Sequence, residues 1–213
     1  MSKLPHTRYE RNSLRAGFGY CIGVDEVGVG CLAGPVVVCA AYFSPEFFRT
    51  RHPALSAVRD SKLLTASTRE ALARALSAER LLTYRLSVVS SRSIDARNIL
   101  RATHDGMTRA VRACADTSTV SRPLVLVDGN RRIPDSVLEQ RTIVGGDRIV
   151  FTIACASILA KVHRDALMIR ASKQYPHYAF EQHKGYGTKL HYERLALHGP
   201  SPLHRTSFRL TPR

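Results

Sequence analysis

The chain has 213 residues and a formal net charge of +15, because 32 lysines and arginines stand against 17 aspartates and glutamates. Its 44% hydrophobic and 23% charged residues are ordinary for a globular protein, which excludes wholesale disorder. The positive surplus favours a nucleic acid as partner, since neutralised phosphates release condensed counterions; a protein that is merely basic is the alternative.

The chain opens with a basic segment and a pair of apolar strands. Residues 1–19 are expected to be a loosely held basic lead-in. A strand over Tyr20–Val24 ends at two adjacent acids, Asp25 and Glu26, before a glycine-rich turn and a second strand over Val36–Phe43. Carboxylates at a strand end beside glycines suit a hard cation that holds a phosphate; an acidic hairpin turn is the alternative.

Helices and strands then alternate. Residues 44–59 carry proline and arginine and are expected to form a surface loop. A helix is predicted over about Ser67–Leu82, capped by Thr65 or Ser67, followed by a strand over Thr83–Ser90.

The second half continues this alternation. We expect a helix over about Ile94–Ala115, capped by Ser93, a strand over Pro123–Val127 and a short apolar segment at Thr142–Val144. A long helix over about Ile149–Lys173 and a short one near Lys189–Leu197 follow. The buried stripe of the long helix is predicted to be Ile158, Val162, Ala166 and Ile169. Together the elements predict an α/β fold, a mixed sheet flanked by helices.

Five scattered cysteines, odd in number and without a C-x-x-C pair, argue against a disulfide frame or a zinc site and for a reducing cytoplasm. The basic first 15 residues do not read as a signal peptide, and the apolar runs are too short to cross a membrane.

Acids beside glycine recur where predicted strands end: Asp25 and Glu26, Asp128 in VDGN and Asp147 in VGGD. Strand ends gather at one edge of an α/β sheet, so these carboxylates are expected to converge. Oxygen ligands of this kind select Mg²⁺ or Mn²⁺, and two such ions would clamp a scissile phosphate. Each acid taken alone has an alternative explanation as a turn residue, and Asp147 also as a helix-start residue.

Other residues fit a phosphate track. Ser157, Lys161 and Arg164 share one helix face and are expected to line it, with a solvated face as the alternative. Tyr186, between lysines and glycines, suits stacking on a sugar or base, although it is also compatible with an ordinary tail tyrosine. The histidines lack metal-ligand spacing and are expected at the surface or facing phosphate.

Several motifs in this order resemble the ribonuclease HII family: GVDEVGVGCLAGPVVVCA, DSKLL, NILRATHDGM, LVDGN, GGD, ASILAKVHRD, HKGYGTK and HRTSF. The resemblance implies a ribonuclease H-like fold with a C-terminal helical extension. It also implies Mg²⁺- or Mn²⁺-dependent cleavage of RNA in RNA–DNA hybrids and 5′ of ribonucleotides embedded in DNA, leaving 5′-phosphate and 3′-hydroxyl ends.

The resemblance also implies roles for individual residues. Catalysis and metal binding fall on Asp25, Glu26, Asp128 and Asp147. Contacts with the nucleic-acid backbone fall on Lys62, Asn98, Ser157 and Lys161. Tyr186 matches the tyrosine that packs on the deoxyribose after the ribonucleotide, and Gly28, Val29 and Gly30 match the loop that touches the 2′-OH.

One departure concerns this loop, because the family usually has arginine where Val29 stands. A non-arginine centre is closer to ribonuclease HIII, so weakened preference for single ribonucleotides is the alternative specificity. A strand-joining enzyme of the integrase type and a non-catalytic hybrid-binding protein are the remaining alternatives.

The expected organisation is the lead-in followed by one catalytic domain over residues 20–213, whose extension begins at about residue 174. We expect a monomer without membrane contact; a sliding clamp is a conceivable partner that the sequence does not reveal.

Overall fold

A computed structural model describes residues 4–118, 122–134 and 136–212 of the chain. Its strands are β1 (Tyr20–Val27), β2 (Val36–Phe43), β3 (Leu82–Val89), β4 (Pro123–Asp128) and β5 (Glu139–Ile143). They form one sheet in the order β3-β2-β1-β4-β5. The β1–β2 and β2–β3 pairs are antiparallel, whereas the β1–β4 and β4–β5 pairs are parallel. The predicted mixed sheet is therefore confirmed.

Helices cover both faces of the sheet. They are α1 (Arg8–Arg15), α2 (Ala66–Ala78), α3 (Ser91–Arg97), α4 (Ile99–Ala115), α5 (Phe151–Gln174), α6 (Phe180–His183) and α7 (Lys189–His198). Within the described ranges, none of them is both long and apolar enough to cross a bilayer.

Strand β2 lies at the centre of the packing, and all of its residues are buried. Successive side chains of a strand point to opposite faces. Val36 and Val38 accordingly pack with Met107 of α4, whereas Val37 and Cys39 belong to the core formed with α2 and α5. This arrangement places α4 on one face of the sheet and α5 on the other.

The expectation of a loose lead-in is wrong for the residues of α1, which dock against the sheet and α5. Glu10 is fully buried, and its carboxylate accepts hydrogen bonds from the backbone N–H and the hydroxyl of Thr152, at 2.9 and 2.7 Å. The helix contributes contacts to the fold because its one acid reaches the first turn of α5, where backbone N–H groups have no helical acceptor.

The predicted surface loop at residues 44–59 is also corrected. It contains two short 3₁₀ helices, Pro45–Arg49 and Pro53–Leu55. Phe47, Phe48 and Leu55 pack in the core beside α2, so the segment closes one edge of that core.

Three helix boundaries differ from expectation. Thr65 caps α2 as predicted, but the helix ends at Ala78, four residues before the predicted end. The next predicted helix is divided into two helices, α3 and α4, because Asn98 between them has a φ of +66°, which is not a helical conformation. The cap of α3 is Ser90 instead of Ser93.

The predicted buried stripe of α5 is correct only in part. Ile158 is fully buried, but Ile169 is 42% exposed. Arg164 and Met168 occupy the buried face of the second half of the helix. The short tail helix near Lys189–Leu197 is confirmed as α7.

Candidate functional site

The parallel strands β1 and β4 end side by side and bring three acids together. Val24 pairs with Val127, so Asp25 and Asp128 follow at equivalent positions. Glu26 comes next in β1. Asp147 lies in a 3₁₀ turn after β5, and the Asp128 carboxylate accepts a 2.6 Å hydrogen bond from the adjacent Gly146 N–H. The expected convergence of the four acids at one sheet edge is thus what the structure shows.

The carboxylates repel one another in a poorly solvated place. Burial, followed by the charges of Glu26 and Asp128, raises the pKa of Asp25 well above its usual range. Burial and Asp128 raise the pKa of Glu26 to about 7. Burial, Asp128 and Asp60 raise the pKa of Asp147. The fold therefore disfavours the charged forms of these carboxylates unless a positive charge compensates them.

The acid cluster fits a hard cation. Glu26 Oε2 is buried and has no hydrogen-bond partner within the described parts of the chain, and a bound cation would satisfy it. Across those same ranges, no group of three or more histidine, cysteine or acidic side chains already has the spacing of a metal site. Asp147 instead lies 3.7 Å from Lys62 Nζ and 3.9 Å from Arg148 Nε. The four acids are therefore candidate ligands that lie near one another, but their side chains are not arranged around a single metal position.

Ser157 supports the first acid. Its buried hydroxyl shares a hydrogen bond with Asp25 and lies 3.0 Å from the Ser61 hydroxyl. One helical turn further along α5, the Lys161 ammonium lies 2.8 Å from Asp165. This face of α5 therefore borders the acid cluster, with Ser157 beneath it and Lys161 at its rim.

The placement of Arg164 on a phosphate track is wrong, because its side chain is fully buried. It donates to the carbonyl oxygens of Pro35 at 2.9 Å, Lys184 at 2.8 Å and Ala33 at 3.2 Å. Arg164 thus joins the backbone of the glycine-rich loop, residues 28–35 between β1 and β2, to the backbone of the C-terminal segment.

A second buried arginine shapes the glycine-rich loop itself. Arg205 donates to the carbonyl oxygens of Val29 at 2.8 Å and of Gly34 at 2.9 and 3.1 Å. Arg205 also donates to the carbonyl oxygen of Gly28. The φ of Gly28 is +97°, a backbone conformation that favours glycine. In a planar trans peptide, N–H and C=O point in opposite directions. The Gly28 and Val29 carbonyl groups face Arg205. The N–H groups of the same two peptide units, which belong to Val29 and Gly30, therefore point away from Arg205.

The loop surface is open. Val29 is 37% exposed, and a side chain at Gly30 would meet no atom within 4 Å. The loop also borders a pocket of about 320 Å³ that Glu26 and Asp128 line on one side and α4 on the other.

Tyr186 is 38% exposed on the opposite side of that loop. Its ring lies 5.3 Å from the Lys161 ammonium and 5.6 Å from the Arg164 guanidinium. Burial, together with the neighbouring Cys31, raises the pKa of the Tyr186 phenol to about 12. The ring is thus a neutral, partly exposed surface beside the glycine-rich loop, with two cationic groups near its face.

The expectation that the histidines are mostly superficial is wrong for His183, His191 and His204, which are buried. The Nε2 atoms of His191 and His204 lie 3.0 Å apart, and His191 Nδ1 lies 2.9 Å from the Tyr186 carbonyl oxygen. These histidines hold the segment that presents Tyr186.

Two further proposed contacts are exposed. The Lys62 side chain is 78% exposed beside Asp147. Asn98 begins α4, where its side-chain oxygen accepts the Arg101 N–H at 3.0 Å. Lys62 lies at the edge of the acid cluster, and Asn98 adjoins Ile99, which lines the pocket beside Glu26 and Asp128.

Sequence reasoning missed Arg205 and the buried histidines. Arg205 stands in HRTSF, where nothing local separates a buried arginine from an exposed one. Arg164 did carry a signal: it lies four residues after the buried Ala160 and four before the buried Met168, on one helix face.

The sheet order and its acidic edge define a nuclease of the ribonuclease H-like class. The sequence profile of Ribonuclease HII matches residues 22–211. The chain is 46% identical over 205 residues to the Ribonuclease HII of Chlorobium chlorochromatii, covering 96% of each chain.

Solved structures agree at the level of the fold. The RNase HII of the Archaeoglobus fulgidus PCNA:RNase HII complex superposes with a TM-score of 0.73 at 23% identity, covering 91% of this chain and 97% of that one. Bst-RNase HIII in complex with Mn²⁺ gives 0.70 at 18% identity, covering 90% and 68%. The chain belongs to the ribonuclease HII family. Its activity is that of a ribonuclease H endonuclease, which acts on nucleic-acid hybrids and depends on a divalent metal ion.

Proposed function

We propose that the chain cuts the RNA strand of RNA–DNA hybrids and also cuts 5′ of ribonucleotides embedded in duplex DNA, leaving 5′-phosphate and 3′-hydroxyl ends. The observation that carries the proposal is the meeting of Asp25, Glu26 and Asp128 at one sheet edge, with Glu26 Oε2 unpaired in the described structure. A protein that only bound phosphates would gain nothing from this concentrated negative charge.

The proposed metal ligands are Asp25, Glu26, Asp128 and Asp147. Two Mg²⁺ or Mn²⁺ ions bound there would supply a water of lowered pKa and neutralise charge on the leaving 3′ oxygen. The Ser157 hydroxyl donates to Asp25 and orients that carboxylate. In this proposal the carboxylates act mainly as ligands.

The surrounding residues are proposed to orient the nucleic acid. The exposed ammonium of Lys62 lies next to Asp147, where it can donate to a phosphate oxygen. Lys161 and Asn98 are proposed to contact the nucleic-acid backbone as well. The outward N–H groups of Val29 and Gly30 suit a 2′-OH acceptor, and the Tyr186 ring suits stacking on the next sugar. The 2′-OH contact would distinguish a ribonucleotide from a deoxyribonucleotide.

Val29 favours a second specificity. An arginine at this place would add a charged donor beside the ribonucleotide, whereas valine leaves only backbone contacts. We infer that hybrid cleavage is retained and that preference for a single ribonucleotide is weakened, as in the ribonuclease HIII type.

The setting of the reaction is also a proposal. All five cysteines are free and buried, which suits a reducing cytoplasm. The Archaeoglobus fulgidus relative is in a complex with PCNA, so a sliding clamp is a candidate partner for this monomeric chain. The Mn²⁺ complex of Bst-RNase HIII makes Mn²⁺ a candidate alongside Mg²⁺.

The test compares a labelled duplex containing one ribonucleotide with an RNA–DNA hybrid, in Mg²⁺, Mn²⁺ or EDTA. Metal-dependent cutting of both, 5′ of the single ribonucleotide, supports the full proposal. Cutting of the hybrid alone moves the specificity toward the second type. Absence of cutting, with duplex binding unchanged in Asp25→Asn, would return the chain to a binding role.

A further inference from the structure

A groove of about 700 Å³ runs along the outer side of α3 and α4, away from the acid cluster. Its most prominent feature is a set of guanidinium groups. They belong to Arg97, Arg101, Arg109 and Arg112. All four arginines are exposed, so their charges face solvent instead of the core.

The arginines of α4 lie on one face of that helix. Arg101, Arg109 and Arg112 are separated by eight and three residues, which correspond to about two turns and about one turn. The opposite face, including Met107 and Val111, packs on the sheet. At about 1.5 Å per residue the three charges extend over roughly 16 Å, close to five base steps of a duplex at about 3.4 Å each.

The charge of the groove is poorly compensated. Asp105 is the single acid among the described residues that line it, against four arginines. Its carboxylate pairs with Arg97 at 2.6 Å. Arg109 donates to the Ser87 hydroxyl at 3.2 Å, which fixes its direction without neutralising it. The groove therefore retains a net positive charge that a polyanion would complement.

The groove is continuous with the candidate active site. His104 of α4 lines this groove and also the pocket that contains Glu26 and Asp128. Burial, with the nearby charge of Arg131, lowers the pKa of His104, so the junction itself is neutral at pH 7. A strand engaged at the acids can pass His104 and continue along the arginines.

We propose that this arginine groove binds the sugar-phosphate backbone of the duplex that flanks the cleaved nucleotide, several base steps from the acids. The inference rests on the proposed function, since it needs a duplex bound at the acid cluster. Contacts of this kind carry no sequence information and add affinity and register. The groove would thus let the enzyme recognise an extended duplex while the acids and the glycine-rich loop recognise one ribonucleotide.

The test compares two variants with equal loss of charge. The groove variant carries Arg101→Gln, Arg109→Gln and Arg112→Gln, because glutamine keeps helix propensity. The control variant carries Arg49→Gln, Arg51→Gln and Arg80→Gln, exposed positions beside the core formed with α2, on the other side of the sheet. Circular dichroism and thermal unfolding establish that both fold.

Binding is measured in EDTA, where hydrolysis is prevented, with ribonucleotide-containing duplexes of about 10 and about 24 base pairs across a salt series. For the longer duplex we expect the groove variant to bind about 10- to 100-fold more weakly, with the slope of log K against log salt reduced by about two to three. The advantage of the longer duplex over the shorter should largely disappear. The control variant should change by less than about threefold.

Equal weakening by both variants, or equal weakening on both duplex lengths, would overturn the proposal. So would polyglutamate that occupies the groove in preference to duplex. If the unmodified chain bound neither duplex, the proposed function itself would fail, and the groove assignment with it.

Discussion

The Arg205 guanidinium lies 2.7 Å from the carbonyl oxygen of Gly28, so a residue near the C-terminus fixes the loop beside the acid cluster. The side chain is fully buried, and its hydrogen-bond acceptors are backbone carbonyls. Burial lowers the pKa of Arg205 to about 10, which leaves it charged at pH 7. A buried cation here also favours the approach of a phosphate to the loop surface.

Replacing Arg205 tests whether the loop depends on it. Arg205→Gln leaves several buried carbonyl groups without a donor, at about 1–3 kcal/mol each. We expect the free energy of unfolding to fall by about 3 kcal/mol or more. At a temperature where the variant is still folded, cleavage at a single ribonucleotide should fall more than cleavage of a hybrid. Chemical denaturation and the two cleavage assays measure these effects.

The matched control is Arg209→Gln, since Arg209 is exposed. It should change the free energy of unfolding by less than about 0.5 kcal/mol. If Arg205→Gln lowered both cleavage rates by the same factor, Arg205 would be a stabilising residue without influence on specificity.

Val29 offers the converse experiment. The side chain is partly exposed and the neighbouring Gly30 faces open space, so Val29→Arg should be accommodated. The added guanidinium would lie beside the ribonucleotide. We expect the rate at a single ribonucleotide to rise by about tenfold, which corresponds to about 1.4 kcal/mol in the barrier, and hybrid cleavage to stay within about twofold. Val29→Gln separates the effect of charge from that of length. An unchanged ratio of the two rates for Val29→Arg would contradict the specificity argument.

Much of the sheet was predictable because its signals are local. Apolar runs bounded by glycine and acids located β2 and β4 almost to the residue, whereas β1 continues through Asp25 and Glu26 to Val27, three residues past its predicted end at Val24. Parallel strand ends share one edge, so the meeting of Asp25 with Asp128 followed from two separate segments. The docking of α1 was not predictable in this way, because it depends on one glutamate that meets a helix start 142 residues away.

That glutamate gives the third prediction. The buried Glu10 carboxylate accepts two hydrogen bonds from Thr152, and burial raises its pKa. Glu10→Ala should lower the free energy of unfolding by about 2–4 kcal/mol. The substitution leaves the two Thr152 donors without an acceptor and creates a cavity where the carboxylate was. Glu10→Gln keeps an acceptor oxygen and should cost less than half as much. The exposed Glu46→Ala is the control. Equal effects of Ala and Gln at position 10 would show that the hydrogen bonds to Thr152 contribute little.

The fourth prediction concerns repulsion at the acid cluster. The fold disfavours the charged form of Asp25, as its raised pKa shows. Asp25→Asn removes one charge and keeps an oxygen for Ser157, so without metal the midpoint of thermal unfolding should rise by about 3 °C or more. Added Mg²⁺ or Mn²⁺ should raise the midpoint of the unmodified chain by neutralising the cluster, and raise that of the variant much less. Cleavage should fall by at least about 1,000-fold.

The isosteric change Asp116→Asn at an exposed position is the control. If metal raised the midpoint of thermal unfolding equally in Asp25→Asn and in Asp116→Asn, the cation would bind away from Asp25.

The site was less predictable than the sheet wherever a buried polar side chain forms hydrogen bonds with backbone groups. Arg164 was expected to face phosphate because its spacing places it on one helix face with Ser157 and Lys161, but three carbonyl groups compensate its burial. His191 was expected at the surface or facing phosphate because the histidines lack metal-ligand spacing. The partners of Arg164 are carbonyl groups brought from other segments, and those of His191 are the Tyr186 carbonyl oxygen and the His204 ring. Residue type and spacing do not reveal these contacts.

The histidine pair beneath Tyr186 gives a prediction about pH. The Ser201 N–H donates to His204 Nδ1 at 2.9 Å, so neutral His204 carries its proton on Nε2 and donates to His191 Nε2. His191 then donates from Nδ1 to the Tyr186 carbonyl oxygen. A second proton on either ring would set two N–H groups against each other. Burial accordingly lowers the pKa of both His191 and His204 to about 4.

The direction in which the free energy of unfolding changes with pH follows from proton binding. Between about pH 6.5 and pH 4 each of these histidines is protonated in the unfolded chain and neutral in the folded one. Their contribution to stability is complete above that range and is lost as the pH falls through it, by at most about 1.4 kcal/mol per pH unit for each. Buried acids with raised pKa values, such as Glu10 and Asp25, act in the opposite sense. The test must therefore be a difference between two proteins that share those acids.

We expect His191→Gln to be less stable than the unmodified chain at pH 7, and the gap to narrow by on the order of 1 kcal/mol for each pH unit down to about pH 5. Denaturant unfolding at several pH values measures the gap. His177→Gln, at an exposed position, should show no such narrowing. A gap for His191→Gln that stayed constant with pH would mean that His191 titrates alike in the folded and unfolded chain. The hydrogen-bonded chain from Ser201 to Tyr186 would then not depend on a neutral ring.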